Sequence, residues 1–238
     1  MISSVNLQEV REKLYLRLKN TGWDDKLKSL ILSSDMDSIL QFLLSDSRDG
    51  KRFTPSLSYL FRAFETCSFD DVKVVIIGQD PYPQLNVADG IAFSCSREDR
   101  VETSLSYIFD AIKNTVPEED RDVDQSKDLI RWSKQGVLLL NSALTTTINK
   151  PGSHQLLWRP FIVNVLDALI WNKPGLVYVF LGKKAQDFTD LIPDINCKVL
   201  SSHPASAGYA NQKSWDCEDL FNKVNHCLLL QNKTKILW

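Results

Sequence analysis

The hydrophobic pattern switches repeatedly between helical and extended periods. Leu7, Val10, Leu14 and Leu18 recur at helical spacing and predict an amphipathic helix over residues 6–20. Trp23, Leu27, Leu30 and Ile31 predict a second helix, and Ile39, Leu40, Phe42 and Leu43 a third, short one. Residues 45–52 are polar, contain Gly50 and read as a loop. Thr54-Pro55 reads as an N-cap and first-turn proline, followed by Leu57, Leu60, Phe61 and Phe64 on one helix face. Residues 72–77 then form a short β-branched run that ends at Gly78, the pattern of a buried strand. A helix over 103–115 places Leu105, Ile108, Phe109 and Ile112 on one face. Residues 117–128 are acidic and aperiodic, a surface connection. A short helix over 129–134 closes at Gly136, and a second strand, 137–140, ends at Asn141. A long helix follows over 155–172, with His154 near its N-cap in a structural role. A third strand, 176–181, ends at Gly182-Lys183. A fourth, 197–200, ends at Ser201-Ser202-His203-Pro204, and a final helix covers 215–230.

Four strand-like runs alternating with helices predict an α/β fold, with a four-stranded parallel sheet covered by helices on both faces. No repeat, low-complexity tract or linker divides residues 1–238, so a single domain is expected. Each run is followed by a polar residue: Asp80, Asn141, Lys183 and His203. In a parallel sheet these ends share one edge, so residues more than a hundred positions apart converge on one cleft. Topology of this kind supports a site and names no substrate.

Composition narrows the class. The 238 residues carry 28 Lys plus Arg against 30 Asp plus Glu, a formal charge of −2. Any contact with nucleic acid must therefore come from a local patch rather than a global field. The five cysteines are odd in number and contain no Cys-x-x-Cys pair, so reduced, mostly buried thiols are expected, without a disulfide framework or structural zinc. The N-terminus has no secretory pattern, and no stretch reads as a membrane span.

Candidate chemistry concentrates just after the first strand. Pro81 and Pro83 fix their own φ and cannot donate to a ladder, so Gln79 and Asp80 sit on a stiff loop past a core strand. Gly78-Gln79-Asp80-Pro81-Tyr82 resembles the water-activating loop of uracil-DNA glycosylases of the main, uracil-excising family. Asn141-Ser142-Ala143-Leu144-Thr145 resembles a second segment of that family, and His203-Pro204 a third. The resemblance runs from about Trp23 to Trp238, with each motif after a predicted strand.

The resemblance implies excision of uracil from DNA by hydrolysis of the N-glycosidic bond, the first step of base excision repair, without metal or cofactor. It implies that Asp80 is the catalytic carboxylate and that His203 donates to uracil O2, a role a neutral imidazole can fill. Gln79 would contribute its backbone near O2, Phe93 would stack on the ring, and Tyr82 would exclude thymine's methyl group. The Asn141 amide would read the Watson–Crick edge and refuse cytosine. Ser104, Gly182, Lys183, Ser206, Ala207 and Tyr209 fall at positions that meet DNA.

The chain also departs from the family pattern. Pro83 replaces a usual histidine, Lys183 replaces a serine, and loop 97–102 is acidic where the family has prolines. Ala207 falls where a leucine normally wedges into the gap left by the flipped base, and Tyr209 is either a substitute wedge or a surface aromatic. The absence of a Cys-x-x-Cys pair argues against the iron–sulfur glycosylases, and Tyr82 against a mismatch-type enzyme of relaxed base choice. A further reading is a DNA-binding or replication-associated factor of the same fold with weak catalysis. Expected partners are uracil-containing DNA and, by family analogy, a DNA-mimicking inhibitor protein. A monomer is expected, in the cytoplasm, or in the nucleus for a eukaryotic or viral source.

Overall fold

The structure is a computed structural model describing residues 6–95, 101–210 and 214–238, with the side chain of Tyr209 excepted. Helices α1 (Leu7–Arg17), α2 (Trp23–Ile31) and α3 (Ser34–Arg48) open the chain. Strand β1 (Phe53–Thr54), α4 (Arg62–Thr66), β2 (Val74–Gly78), α5 (Thr103–Thr115), α6 (Ile130–Ser133) and β3 (Val137–Asn141) follow. The second half contains β4 (Thr146–Thr147), α7 (Gln155–Asn172), β5 (Val177–Leu181), α8 (Lys183–Gln186), β6 (Cys197–Ser201), α9 (Ser206–Tyr209) and α10 (Leu220–Leu230).

Strands β3-β2-β5-β6 form the expected parallel sheet. All five residues of β2, of β3 and of β5 are buried, because helices cover both faces. The two-residue period sorts their side chains. Val75, Ile77, Leu138, Leu140, Tyr178 and Phe180 pack with α1–α4 and α7. Val74, Ile76, Val137, Leu139, Val177 and Val179 pack on the other face with α5, α6 and α10. From β2 the chain steps to β3 on one side and then returns past β2 to β5 on the other. The carboxyl ends of β2 and β5 therefore flank the point where strand order reverses, the usual crevice of open α/β sheets.

Several local expectations change. Helix α3 runs through Arg48 rather than stopping before a loop at residue 45. Ser33 caps its start by accepting from Met36 N–H, and Ser47 Oγ donates to Leu43 O in the last turn. Thr54 is not an N-cap, because its backbone is used in the antiparallel pairing of β1 with β4. Residues 57–64 do not make one helix. A 3-10 turn over Leu57–Tyr59 precedes α4, and this places the Tyr59 carbonyl where a Cβ on Gly90 would lie 1.9 Å away. The last helix starts at Leu220, while Trp215 packs separately and donates to Ser202 Oγ at 2.9 Å. Cys197 and Cys227 are disulfide-bonded, not reduced, because α10 packs across the start of β6 and brings their Cα atoms to 6.3 Å. Cys67, Cys95 and Cys217 are free and buried.

Candidate active site

The loop after β2 is held by its carbonyl. The Gln79 carbonyl accepts from Ser142 Oγ at 2.6 Å, Gln155 Nε2 at 2.9 Å and Ala143 N–H at 3.1 Å. Ser142 Oγ also lies 3.1 Å from Gln155 Oε1, so the two clamping side chains orient each other. With that oxygen fixed, the following peptide has one orientation and Asp80 one direction of approach. The Asp80 carboxylate accepts from Gly152 N–H at 2.7 Å. Burial raises the Asp80 carboxyl above its ordinary range, and hydrogen bonds from Gly152 N–H and the side chains of Gln79 and Thr146 oppose that rise.

Gly78 is needed at the strand end for close approach. A Cβ there would lie 2.7 Å from Asn141 Oδ1 and 3.0 Å from Phe93 Cζ. Asn141 is its register partner at the end of β3. Phe93 has a left-handed backbone, φ +64°, a conformation a bulky residue keeps only when its surroundings enforce it. The surroundings are explicit. Asp89, fully buried, accepts from Ile91 N–H at 3.2 Å and Ser94 Oγ at 2.7 Å, and pairs with Arg62 at 2.6 Å. Tyr82 Oη donates to the Phe93 carbonyl at 2.9 Å, tying the two rings' loops together. Burial, reinforced by Glu102, pushes the Tyr82 phenol well above its usual value, so it stays a neutral donor.

His203 follows β6. Its Nδ1 accepts from Ala205 N–H at 3.2 Å, which leaves the ring proton on Nε2. Burial lowers its pKa to about 4, so the imidazole is neutral near pH 7. Its ring lies 5.7 Å from that of Phe93. Gly182 permits this placement, since a Cβ there would lie 2.8 Å from His203 Cβ.

These groups share one cleft of about 540 Å³. Gln79, Asp80, Tyr82, Phe93, Asn141, Ser104, His203 and Ser206 all line it. Pro83 lines it too, while Gly182 supports it from behind His203. Lys183 is exposed at the start of α8 and lies outside the lining. Ala207 does not face the cleft. It is 1% exposed, belongs to the buried cluster that includes Leu105 and Trp215, and is absent from the cleft lining. Tyr209 ends α9, and its side chain lies outside the described residues, as do residues 96–100 of the acidic loop. Val101 is exposed, and Glu102 is buried against the cleft.

His154 is structural, as expected. It is 2% exposed, with its ring nitrogens 2.8 and 3.1 Å from the hydroxyls of Thr145 and Thr147. Sequence reasoning passed over the groups that position Gln79 and Asp80: Ser142, Gln155, Gly152 and Thr146. Ser142 lies inside a quoted motif, but its partner is 63 residues away, and no periodicity carries that separation. Among the described residues there is no group of three metal-ligating side chains, and no helix is long and apolar enough to cross a membrane.

With that geometry in view, comparison with known proteins is decisive. The sequence profile of the Uracil DNA glycosylase superfamily matches residues 64–228. The chain belongs to that superfamily. A uracil-DNA glycosylase of Amoebophilus asiaticus is 35% identical over 219 residues, covering 91% of this chain and 97% of that one. The Mesomycoplasma hyopneumoniae uracil-DNA glycosylase is 38% identical over 197 residues, covering 82% and 87%. The crystal structure of mimivirus uracil-DNA glycosylase superposes with a TM-score of 0.83 at 26% identity, covering 97% of this chain and 90% of that one. A substituted form of the mimivirus protein in complex with UGI superposes equally well, TM-score 0.83. For a glycosylase fold, the matched span includes every strand of the parallel sheet and all the cleft residues named above.

Proposed function

We propose that this glycosylase excises uracil from DNA by hydrolysing the bond between uracil N1 and the deoxyribose C1′, the first step of base excision repair. The reading rests on one observation: Asp80, Asn141 and a neutral His203, from three different strand ends, line a single cleft with Tyr82 and Phe93. Excision of this kind needs the target nucleotide out of the stack, at a cost of a few kcal/mol, a general figure for base-flipping enzymes that already includes glycosylases.

As the C1′–N1 bond breaks, its electron pair leaves with the base and the sugar becomes cationic. Asp80 stabilises the sugar and orients the water that adds to C1′; the proton this water sheds balances the charge of the departing base, so the products are a C1′ hydroxyl and neutral uracil. His203 Nε2–H donates to uracil O2 as the base becomes anionic, beside the backbone of Gln79. A fixed donor of this type is worth about a hundred- to a thousandfold in rate. Asn141 reads the Watson–Crick edge, Phe93 stacks on the ring, and Tyr82 occupies the space of a thymine methyl. Ser104 and Ser206 meet the phosphates beside the flipped nucleotide, and Gly182-Lys183 extends that contact. A DNA-mimicking inhibitor is a second occupant of the same cleft; the mimivirus complexes with UGI support this for the fold.

The test is release of free uracil from single- and double-stranded oligonucleotides, with thymine-mismatch controls. Uracil release with thymine retained is the expected result. Intact uracil strands after long incubation, with DNA still bound, would point instead to a non-catalytic DNA-binding factor.

A further inference from the structure

The amino ends of β2 and β5 frame a second concavity, about 510 Å³, at the sheet edge opposite the cleft. Lys26 of α2, Lys73 before β2, Lys173 after α7 and Lys233 after α10 all line it. Their ammonium groups rest on neutral oxygens. Lys26 donates to Asn172 Oδ1 at 2.8 Å and Lys173 to Asp70 O at 2.5 Å. Lys73 donates to Thr234 O at 2.9 Å and Oγ1 at 2.6 Å, and Lys233 donates to Gly175 O. Among the described residues, none of the four makes a salt bridge.

Two carboxylates, Asp70 and Asp71, share the lining, and Asp71 is engaged by Ser68 Oγ at 2.6 Å. Lys26 and Lys173 sit 5.3 and 5.7 Å from the centroid of Phe69, which braces both cations. Burial lowers the pKa of Lys233, and the charges of Lys173 and Lys73 lower it further. Four ammonium groups face the two carboxylates of Asp70 and Asp71, which act on Lys173, so the lining keeps an excess of two positive charges that attracts an anion.

We propose that this concavity binds a phosphate-bearing anion. Each ammonium has three donors, and no more than two are used, so donors remain for phosphate oxygens. Lysines act as point charges suited to phosphate, and no arginine fork for a planar carboxylate lines the site. The volume falls within the small-ligand range of about 300–1,000 Å³ and takes several linked phosphates. Two sources share this chemistry: the phosphate chain of a free polyphosphate or nucleotide, and a nucleic-acid backbone. Because the four lysines come from separate segments, an anion that bridges them stabilises the fold by mass action. The site is independent of uracil excision. Five residues of β2 separate the two edges, roughly 16 Å at the usual strand rise.

The experiment uses tripolyphosphate as probe at constant ionic strength, with sodium chloride as the matched control. Calorimetric titration and thermal unfolding are read for wild type, Lys26→Gln and the double variant Lys73→Gln/Lys233→Gln. Tripolyphosphate is expected to raise the wild-type Tm and to bind about tenfold or more weakly to the double variant. Each variant's unliganded Tm is its own baseline, and Lys26→Gln, whose partner is an exposed amide, guards against misfolding of the double variant. Activity on a short uracil oligonucleotide should stay within about twofold of wild type. No Tm rise in wild type, or equal tripolyphosphate affinity in all three proteins, overturns the proposal. A uracil-free single strand that displaces tripolyphosphate from this site assigns it to a nucleic-acid backbone; bound tripolyphosphate that resists displacement assigns it to free phosphates.

Discussion

At the carboxyl edge of the sheet the cleft is lined by Asp80 and Glu102 and by no lysine or arginine among the described residues, whereas the amino edge sets Lys26, Lys73, Lys173 and Lys233 against Asp70 and Asp71. The same four-stranded sheet thus carries two concavities of similar size, about 540 and 510 Å³, prepared by different means. In the cleft, burial raises the Asp80 carboxyl and holds His203 neutral, and backbone donors fix both. At the other edge, clustered charge dominates and carbonyl oxygens hold the cations apart. The difference separates two kinds of preparation. A reaction that develops charge needs fixed dipoles in a desolvated place, because these require no reorganisation during the step. Capture of a charged ligand needs net charge, and dipole alignment matters less.

Breaking the cleft should have the largest effect. Asp80→Asn is expected to lower kcat for uracil release by at least about a hundred- to a thousandfold while DNA affinity stays nearly unchanged, because the proposed role sets the carboxylate to work on the transition state. Single-turnover kinetics beside an equilibrium binding titration checks this, and near-normal turnover would remove Asp80 from its role. Changes of base choice come next. Tyr82→Ala should admit thymine and Asn141→Asp should admit cytosine, each read as release of the new base from matched oligonucleotides. If neither variant, folded by circular dichroism, releases a new base, the assignment of these walls fails.

Gln155→Leu probes the clamp. It removes one of three donors to the Gln79 carbonyl and deletes the Gln155 Oε1 partner of Ser142 Oγ, so a stability loss of about 1–3 kcal/mol is expected. A positioning role predicts that kcat falls with KM little changed, and that Gln155→Glu does not restore it, since a carboxylate cannot donate to the carbonyl. Equal kcat in wild type and Gln155→Leu would reduce the clamp to packing.

The smallest effect concerns pH. The acid limb of kcat should follow Asp80, at a pH above the ordinary carboxylate value of 3.8, because burial raises that group. No limb is expected at 6.5, since His203 is already neutral down to about pH 4. The stability sign is the reverse for the two groups. The unfolded chain protonates His203 near 6.5 and the folded chain near 4, so stability falls as pH drops between those values. Asp80, raised in the folded state, favours folding more at low pH than at high pH.

The strand ends were legible because each apolar run is bounded by a polar stop, and β2, β3, β5 and β6 place Asp80, Asn141 and His203 at one edge. Helices α5 and α7 match the expected bounds of 103–115 and 155–172, since each has an apolar period over three or more turns. Strands β1 and β4 have two residues each, too short to show any period. Ala207 matched a motif position by spacing, and the burial of its methyl follows from the four-residue α9, too short to show a period. The Cys197–Cys227 bond escaped notice because pairing depends on how α10 crosses β6, which sequence separation does not reveal. The lysine concavity was invisible for the same reason. Its four members are spread over more than two hundred residues, and each alone reads as a solvated charge.

The most direct test of burial as the means by which the cleft is prepared is a 15N NMR titration of the His203 imidazole in the folded enzyme between pH 5 and 8. The expected result is a neutral ring throughout, protonated at Nε2 and accepting at Nδ1, as the Ala205 N–H bond requires. A midpoint near 6.5, or both ring nitrogens protonated at pH 7, would contradict it and return His203 to the role of a charged donor.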